Sequence, residues 1–190
     1  MNNKKIILPL FLLMVLAQLY VPTKMIIDSE TTLQKGQAYK FKTIPVDPND
    51  PFRGKFIVLR YEANRFEVPI NKDFIEGQSV YVSLTNDADG YAQISAITPQ
   101  APLNTNDFVQ AHISYILTHD TSKELTISYP FNRYYMEESK AYAAEKAYNE
   151  ASRQPHNISY ALVTIKDGQA VLQDVLINGI SIVSIVDGKQ

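Results

Sequence analysis

The sequence has no cysteine, no tryptophan, only three histidines and almost no excess of either charge. Without cysteine there is no disulfide framework, thiolate zinc site, iron–sulfur cluster, cysteine nucleophile or lipidated cysteine. Lys and Arg number 18 against 20 Asp and Glu, a formal net charge of −2. The basic excess that binding to a phosphate backbone needs is missing, so no nucleic-acid partner is expected. His112, His119 and His156 form neither an HxH nor an HExxH pair, so neither a metal site nor a histidine triad is expected. There is no P-loop and no GxGxxG, and neither Ser122-Lys123 nor Ser139-Lys140 has the helical Ser-x-x-Lys spacing. No catalytic residue and no cofactor is predicted. What the chain has instead is apolar residues: 45% hydrophobic against 20% charged over 190 residues. That suits one domain, or two small ones, with a substantial core.

Lys4 and Lys5 precede an apolar run from Ile6 to Val21, broken only by Pro9 and Gln18, and Met25-Ile26-Ile27 follow Pro22 and Lys24. Residues 6–27 make 22 positions. At about 1.5 Å each they cross a hydrocarbon layer of about 30 Å. The sequence therefore predicts a cytoplasmic tail over 1–5 and a transmembrane anchor over 6–27 that contacts the lipid bilayer, with Lys24 snorkelling to the headgroups. The two leading lysines keep the N-terminus in the cytoplasm. The expected location is the inner (cytoplasmic) membrane, single-pass, with the C-terminal domain exported to the periplasmic side. The rival reading is a cleaved signal peptide, although the residues around Ala17-Gln18-Leu19-Tyr20 are bulky for a cleavage site.

Beyond Asp28 the fold class reads as mainly β. Lys55–Tyr61 places Ile57, Leu59 and Tyr61 on one face and Phe56, Val58 and Arg60 on the other. Val80–Thr85 and Tyr91–Ile97 flank Asn86-Asp-Ala-Asp-Gly90, a hairpin signal. Phe108–Thr118 alternates, with Val109, Ala111, Ile113, Tyr115 and Leu117 together, and Glu124–Tyr129 does so with Leu125, Ile127 and Tyr129. The C-terminus reads as a three-stranded meander. Ser159–Lys166 turns at Asp167-Gly168, Ala170–Ile177 turns at Asn178-Gly179, and Ile180–Val186 closes it. One helix is expected at about 136–153, stopped by Pro155, with Met136, Lys140, Ala143, Ala144, Ala147 and Ala151 on its packed stripe.

A shift of 68 residues lays 55–66 onto 123–134. Lys55/Lys123, Tyr61/Tyr129, Asn64/Asn132 and Arg65/Arg133 are identical, while Ile57/Leu125, Leu59/Ile127 and Phe66/Tyr134 are similar. This predicts two similar β units, meander or hairpin in kind and barrel- or sandwich-like, over 28–98 and 106–190, with a joint at 99–105 and the helix inserted in the second.

Two acidic groups resemble cation sites and are better read as turns. Thr85, Asp87, Asp89 and Gly90 match the start of an EF-hand loop, but its twelfth position is Ala96. Asp47 and Asp50, between prolines, shape a turn before Gly54. The aromatic and arginine residues are the best surface clue: Phe52, Arg53, Gly54, Tyr61, Arg133, Tyr134 and Tyr135 form the candidate binding set. Arg and Tyr combine large contact area with a polar end; in a strand, Tyr also serves as half-buried packing.

The segment Pro45-Val-Asp-Pro-Asn-Asp-Pro-Phe-Arg-Gly-Lys-Phe-Ile-Val-Leu-Arg-Tyr61 resembles the motif of the GDYXXLXY family, membrane-anchored bacterial proteins. Here the motif stands as Gly54-Lys-Phe-Ile-Val-Leu-Arg-Tyr61, with Lys55 in place of Asp and Phe56 in place of Tyr. The similarity continues through Val80–Leu84, Asp89-Gly90, Tyr129–Tyr135 and Gly168–Gly179. The resemblance implies one N-terminal anchor, an exported domain, no assigned activity and a polytopic membrane protein as companion. Lys55 excludes an essential carboxylate at its position. The expected role is a non-enzymatic accessory or interaction subunit of an integral membrane protein. The alternatives are an envelope hydrolase or a small-molecule-binding domain.

Overall fold

A computed structural model describes residues 4–45, 56–154 and 156–188. Asp47, Asp50, Phe52, Arg53, Gly54, Lys55 and Pro155 lie outside the described residues. The chain opens with α1 (Lys4–Lys35). It is long and apolar enough to cross a membrane, and its apolar window is not buried against the rest of the chain. The helix runs on past residue 27, the end of the expected anchor, and its last turns pack on the β domain. Thr32 is buried there, and its Oγ1 donates to the Asp28 carbonyl at 2.9 Å. Gly36 closes the helix by donating its N–H to the Thr32 carbonyl at 2.8 Å. A Cβ at residue 36 would meet Thr32 O at 2.5 Å, Thr164 Cγ2 at 2.6 Å and Ile165 O at 2.7 Å. Only glycine lets the helix end approach the sheet backbone this closely.

The strands follow as β1 (Gln37–Ile44), β2 (Phe56–Val58), β3 (Arg60–Tyr61), β4 (Arg65–Pro69), β5 (Ser79–Asn86), β6 (Ala92–Thr98), β7 (Phe108–Thr118), β8 (Ser122–Ser128) and β9 (Arg133–Tyr135). Then come α2 (Glu138–Ser152), β10 (Ser159–Lys166), β11 (Gln169–Ile177), β12 (Ile180–Ser181) and α3 (Ile182–Val186). Two five-stranded sheets, β12-β11-β10-β1-β3 and β4-β8-β7-β5-β6, are joined by the β2-β9 ladder into a nearly closed, barrel-like arrangement. On the far side the β10–β11 turn meets β7: Gln110 donates to the Gly168 carbonyl at 2.9 Å, and Gly168 to the Phe108 carbonyl at 3.0 Å. Asp167 and Gly168 both take positive φ, as that two-residue turn demands.

The pairing repeats at the 68-residue shift. β2 meets β9 as Phe56↔Tyr135, Ile57↔Tyr134 and Val58↔Arg133. β8 meets β4 as Glu124↔Glu67, Leu125↔Phe66 and Thr126↔Arg65. Adding 68 to one partner and subtracting it from the other turns the first set into the second. The same operation exchanges Leu59 N–H→Asn132 O (2.9 Å) with Ile127 N–H→Asn64 O (2.7 Å). It also exchanges Tyr61 OH→Phe131 O (2.7 Å) with Tyr129 OH→Ala63 O (2.6 Å). The segments are thus related by a local two-fold, each supplying the other's missing strand.

One core runs through both sheets. Ile57, Leu59 and Tyr61 are buried, as are Leu125, Ile127 and Tyr129. At its centre Phe41, Tyr61, Tyr129 and Phe131 touch in all six pairings, with ring centroids 5.0–5.9 Å apart. Burial pushes the Tyr61 and Tyr129 hydroxyls well above the usual phenol range. Tyr39 is pushed up to about 12, by burial first and the Asp107 charge second.

Local expectations need four corrections. The strand expected over 55–61 divides after Val58, because β2 pairs with β9 whereas β3 pairs with β1. A bulge between Ile113 and Tyr115 switches β7's faces, so Tyr115 and Leu117 are exposed and Ile116 turns inward. The meander's third strand is only Ile180–Ser181; Ile182 is fully buried and begins α3, which packs on α2. In α2 the buried stripe is Ala144, Tyr148 and Ala151, while Ala143 is exposed. Tyr148 has the larger apolar surface and takes the core-facing position, though its hydroxyl and that of Ser152 find no partner among the described residues.

Candidate functional site

β9 divides the Arg-Tyr-Tyr segment by simple alternation. Arg133 and Tyr135 point outward and Tyr134 is half-buried. The Arg133 guanidinium carbon lies 4.9 Å from the centroid of the Phe56 ring, and the Tyr135 ring lies 5.4 Å from the same centroid. Tyr135 remains 65% exposed. The three side chains form one surface patch held by the β2–β9 register, with Arg133 over an aromatic face in cation–π geometry. Tyr134 donates its hydroxyl to Asp174 Oδ1 on β11 at 3.1 Å. Its hydroxyl is pushed up to about 12, by burial first and the Asp174 charge second. Tyr61, the remaining described member of the candidate set, lies in the core, 2% exposed. The structure therefore brings Arg133 and Tyr135 together at the surface, leaves Tyr134 bridging β9 to β11, and places Tyr61 among packing residues.

Beside the patch is an open cleft of about 460 Å³, bounded by Arg133, Tyr134, Tyr135, Leu172 and, from α1, Ser29. The local two-fold supplies its counterpart, a cleft of about 340 Å³ lined by Glu62, Ala63, Arg65, Phe66 and Glu67 with β6. There Arg65 pairs with Glu124, Nη1 to Oε1 3.6 Å. No residue of α1 lines this second cleft. Between them, on the axis, a cleft of about 380 Å³ is lined by Arg60, Asn64, Arg65, Ser128 and Asn132.

Among the described residues the other polar groups form no assembled reaction centre. Asp87 Oδ1 accepts the N–H groups of Asp89 (2.9 Å) and Tyr91 (2.8 Å), and Gly90 has φ +81°, so this segment is a hairpin turn. Among the described residues no group of three or more potential metal ligands converges. Ser79 Oγ and His112 Nδ1 are 3.2 Å apart on neighbouring strands, an exposed pair that sequence spacing does not reveal. No carboxylate among the described residues hydrogen-bonds the second ring nitrogen to orient it for base catalysis. Sequence reasoning also missed Phe56 as Arg133's partner. The available signal was the 68-residue shift, which sets Phe56 against Glu124, the partner of Arg65.

The five shifted tyrosines yield a pH prediction. Tyr39, Tyr61, Tyr129, Tyr134 and Tyr148 are all raised chiefly by burial. The folded chain keeps them neutral where the unfolded chain ionises them, from about pH 10 upward. Their contribution is complete below about pH 10 and is lost as pH climbs through the raised values. Urea midpoints should be level from neutral to mildly alkaline pH and fall above about pH 10. Phenolate absorbance from these tyrosines should appear together with unfolding; their free titration in the folded chain would contradict the burial assignment.

No curated protein and no solved structure matches this chain. The family described as GDYXXLXY protein matches residues 18–175, from within the apolar helix to β11. That match takes in the β2–β9 patch, both copies of the repeated segment and most of the chain, and the protein belongs to the GDYXXLXY family.

Proposed function

We propose that this protein is a membrane-anchored extracytoplasmic domain that serves as a non-enzymatic accessory subunit of an integral membrane protein. The supporting observation is the way α1 ends. A helix that serves only to target the chain needs no fitted joint with the mature domain. Here Thr32 is buried under the sheet and Gly36 admits the helix end against Thr164 and Ile165. The anchor is built into the fold, which holds the domain at a fixed height and orientation above the bilayer. Lys4 and Lys5 ahead of the apolar run favour export of the β domain. The described clefts are open to solvent, suiting a contact surface better than a closed reaction pocket. The Arg133–Phe56–Tyr135 patch lies on the side where α1 joins and is part of the face offered to a membrane-embedded partner.

Purification of the tagged full-length chain from native membranes in mild detergent tests this, with the intact mass and the co-eluting proteins measured together. An unprocessed N-terminus with a stoichiometric polytopic partner is the expected outcome. A processed N-terminus and no partner would overturn the proposal. Arg133→Ala combined with Tyr135→Ala removes exposed side chains only, so folding should stay near normal while partner recovery drops several-fold, each surface anchor being worth about 1 kcal/mol or more. Undiminished recovery would remove the patch from the interface.

A further inference from the structure

The local two-fold allows the two Arg clefts to be compared position by position. Around Arg65 stand three carboxylates: Glu62, Glu67 and its ion-pair partner Glu124. At the equivalent positions around Arg133 stand Pro130, Tyr135 and Phe56. The strand pairing is the same, yet all three acids are replaced by apolar or aromatic residues and the arginine is kept. Packing does not demand this, because Tyr135 is 65% exposed. The cleft that has lost its acids is also the one that contains Ser29 of α1. Ser29 is two residues beyond Ile27, the end of the apolar run, so it stands about 3 Å further along the helix axis. With 6–27 filling the hydrocarbon layer, Ser29 lies within the headgroup layer, roughly 5–8 Å deep on each side.

We infer that the Arg133–Phe56–Tyr135 cleft seats the phosphate of a phospholipid headgroup from the leaflet through which α1 emerges. Arg133 presents a guanidinium fork to the phosphodiester, Phe56 supports the guanidinium from below, and Tyr135 occupies the interfacial level that amphipathic rings prefer. The nearest carboxylates are engaged within the chain rather than with Arg133. Asp174 accepts hydrogen bonds from Tyr134 and from the Val175 N–H, Asp28 pairs with Lys24, and Glu30 accepts from Gln34. The removal of acids around Arg133 fits a surface that approaches the phosphates of lipid headgroups, where a carboxylate would be repelled. The inference rests on the membrane-anchored reading and adds a lipid contact to it.

The absence of tryptophan provides the test. Tyr135→Trp, Glu67→Trp and Leu12→Trp each introduce a single fluorophore into the full-length chain, reconstituted in bilayers with phosphatidylcholine spin-labelled on the headgroup or on the acyl chain. Tyr135→Trp should be quenched by the headgroup label at least twofold more than Glu67→Trp, its counterpart in the other cleft. Leu12→Trp should be quenched by the acyl-chain label. Loss of the Leu12→Trp quenching would overturn the anchor itself. A Leu12→Trp response with equal quenching at residues 135 and 67 would overturn the lipid site alone. An independent measurement leaves the rings untouched: Arg133→Glu should retain several-fold less phosphatidylglycerol through detergent purification, by native mass spectrometry, and Arg133→Lys, which keeps the charge without the fork, should fall between Arg133→Glu and the unaltered chain. Equal retention in all three chains would overturn the proposal.

Discussion

Phe41→Ala is expected to destabilise the β domain by about 4 kcal/mol, the range for a fully buried aromatic. Phe41 is 0% exposed and touches Tyr61, Tyr129 and Phe131 at once, with centroids 5.3, 5.5 and 5.1 Å away. Its removal takes away burial and three edge-on ring contacts, and leaves a cavity that strands from both halves would have to collapse to fill. The surrounding rings are tied by Tyr61 OH→Phe131 O and Tyr129 OH→Ala63 O, so collapse would strain those bonds. Leu at the same site keeps much of the volume and should cost less than half as much. Denaturant unfolding of the full-length chain in detergent checks both. A loss below about 1 kcal/mol for Phe41→Ala would mean that this quartet is not the centre of the core.

Gly36→Ala is the second large effect. One added methyl group would meet two carbonyl oxygens and a methyl at 2.5–2.7 Å, and two of these three atoms are backbone. No rotamer change relieves that contact, so either the helix end or β10 must shift. The expected cost is about 3 kcal/mol, the upper end for overpacking. It should fall on the α1 joint and leave the far sheet intact. Limited proteolysis should show new cleavage between Asp28 and Tyr39 while the remaining domain resists. An unchanged digestion pattern would mean that α1 is not docked on β10.

The hairpins were legible because their turns are chemical: Asp89-Gly90, Asp167-Gly168 and Asn178-Gly179 supply the positive φ that the connections require. The inward faces of 57–61 and 125–129 were legible because period-2 alternation is local. The bulge near Ser114 was not, since it is set by how β7 meets β8. Nor was the burial of Tyr148, whose neighbours come from elements distant in sequence. The 68-residue shift pointed to related segments but could not say that they exchange strands, with β2 on β9 and β8 on β4. The surface patch was half visible for the same reason: Arg133 and Tyr135 stood out by composition, while Phe56 joins them only through that exchange.

The absence of cysteine permits the most direct test of the claim that α1 crosses the bilayer and holds an exported domain. Leu103→Cys places one thiol at a residue 98% exposed on the β domain, and Asn3→Cys places one before the apolar run. Both full-length chains are treated with a membrane-impermeant maleimide, in cells with an intact cytoplasmic membrane and after lysis, and the intact mass is recorded. Leu103→Cys should label in intact cells, Asn3→Cys should label only after lysis, and the mass should retain the whole apolar segment. Labelling of Leu103→Cys only after lysis, or a mass lacking the N-terminal helix, would contradict that claim.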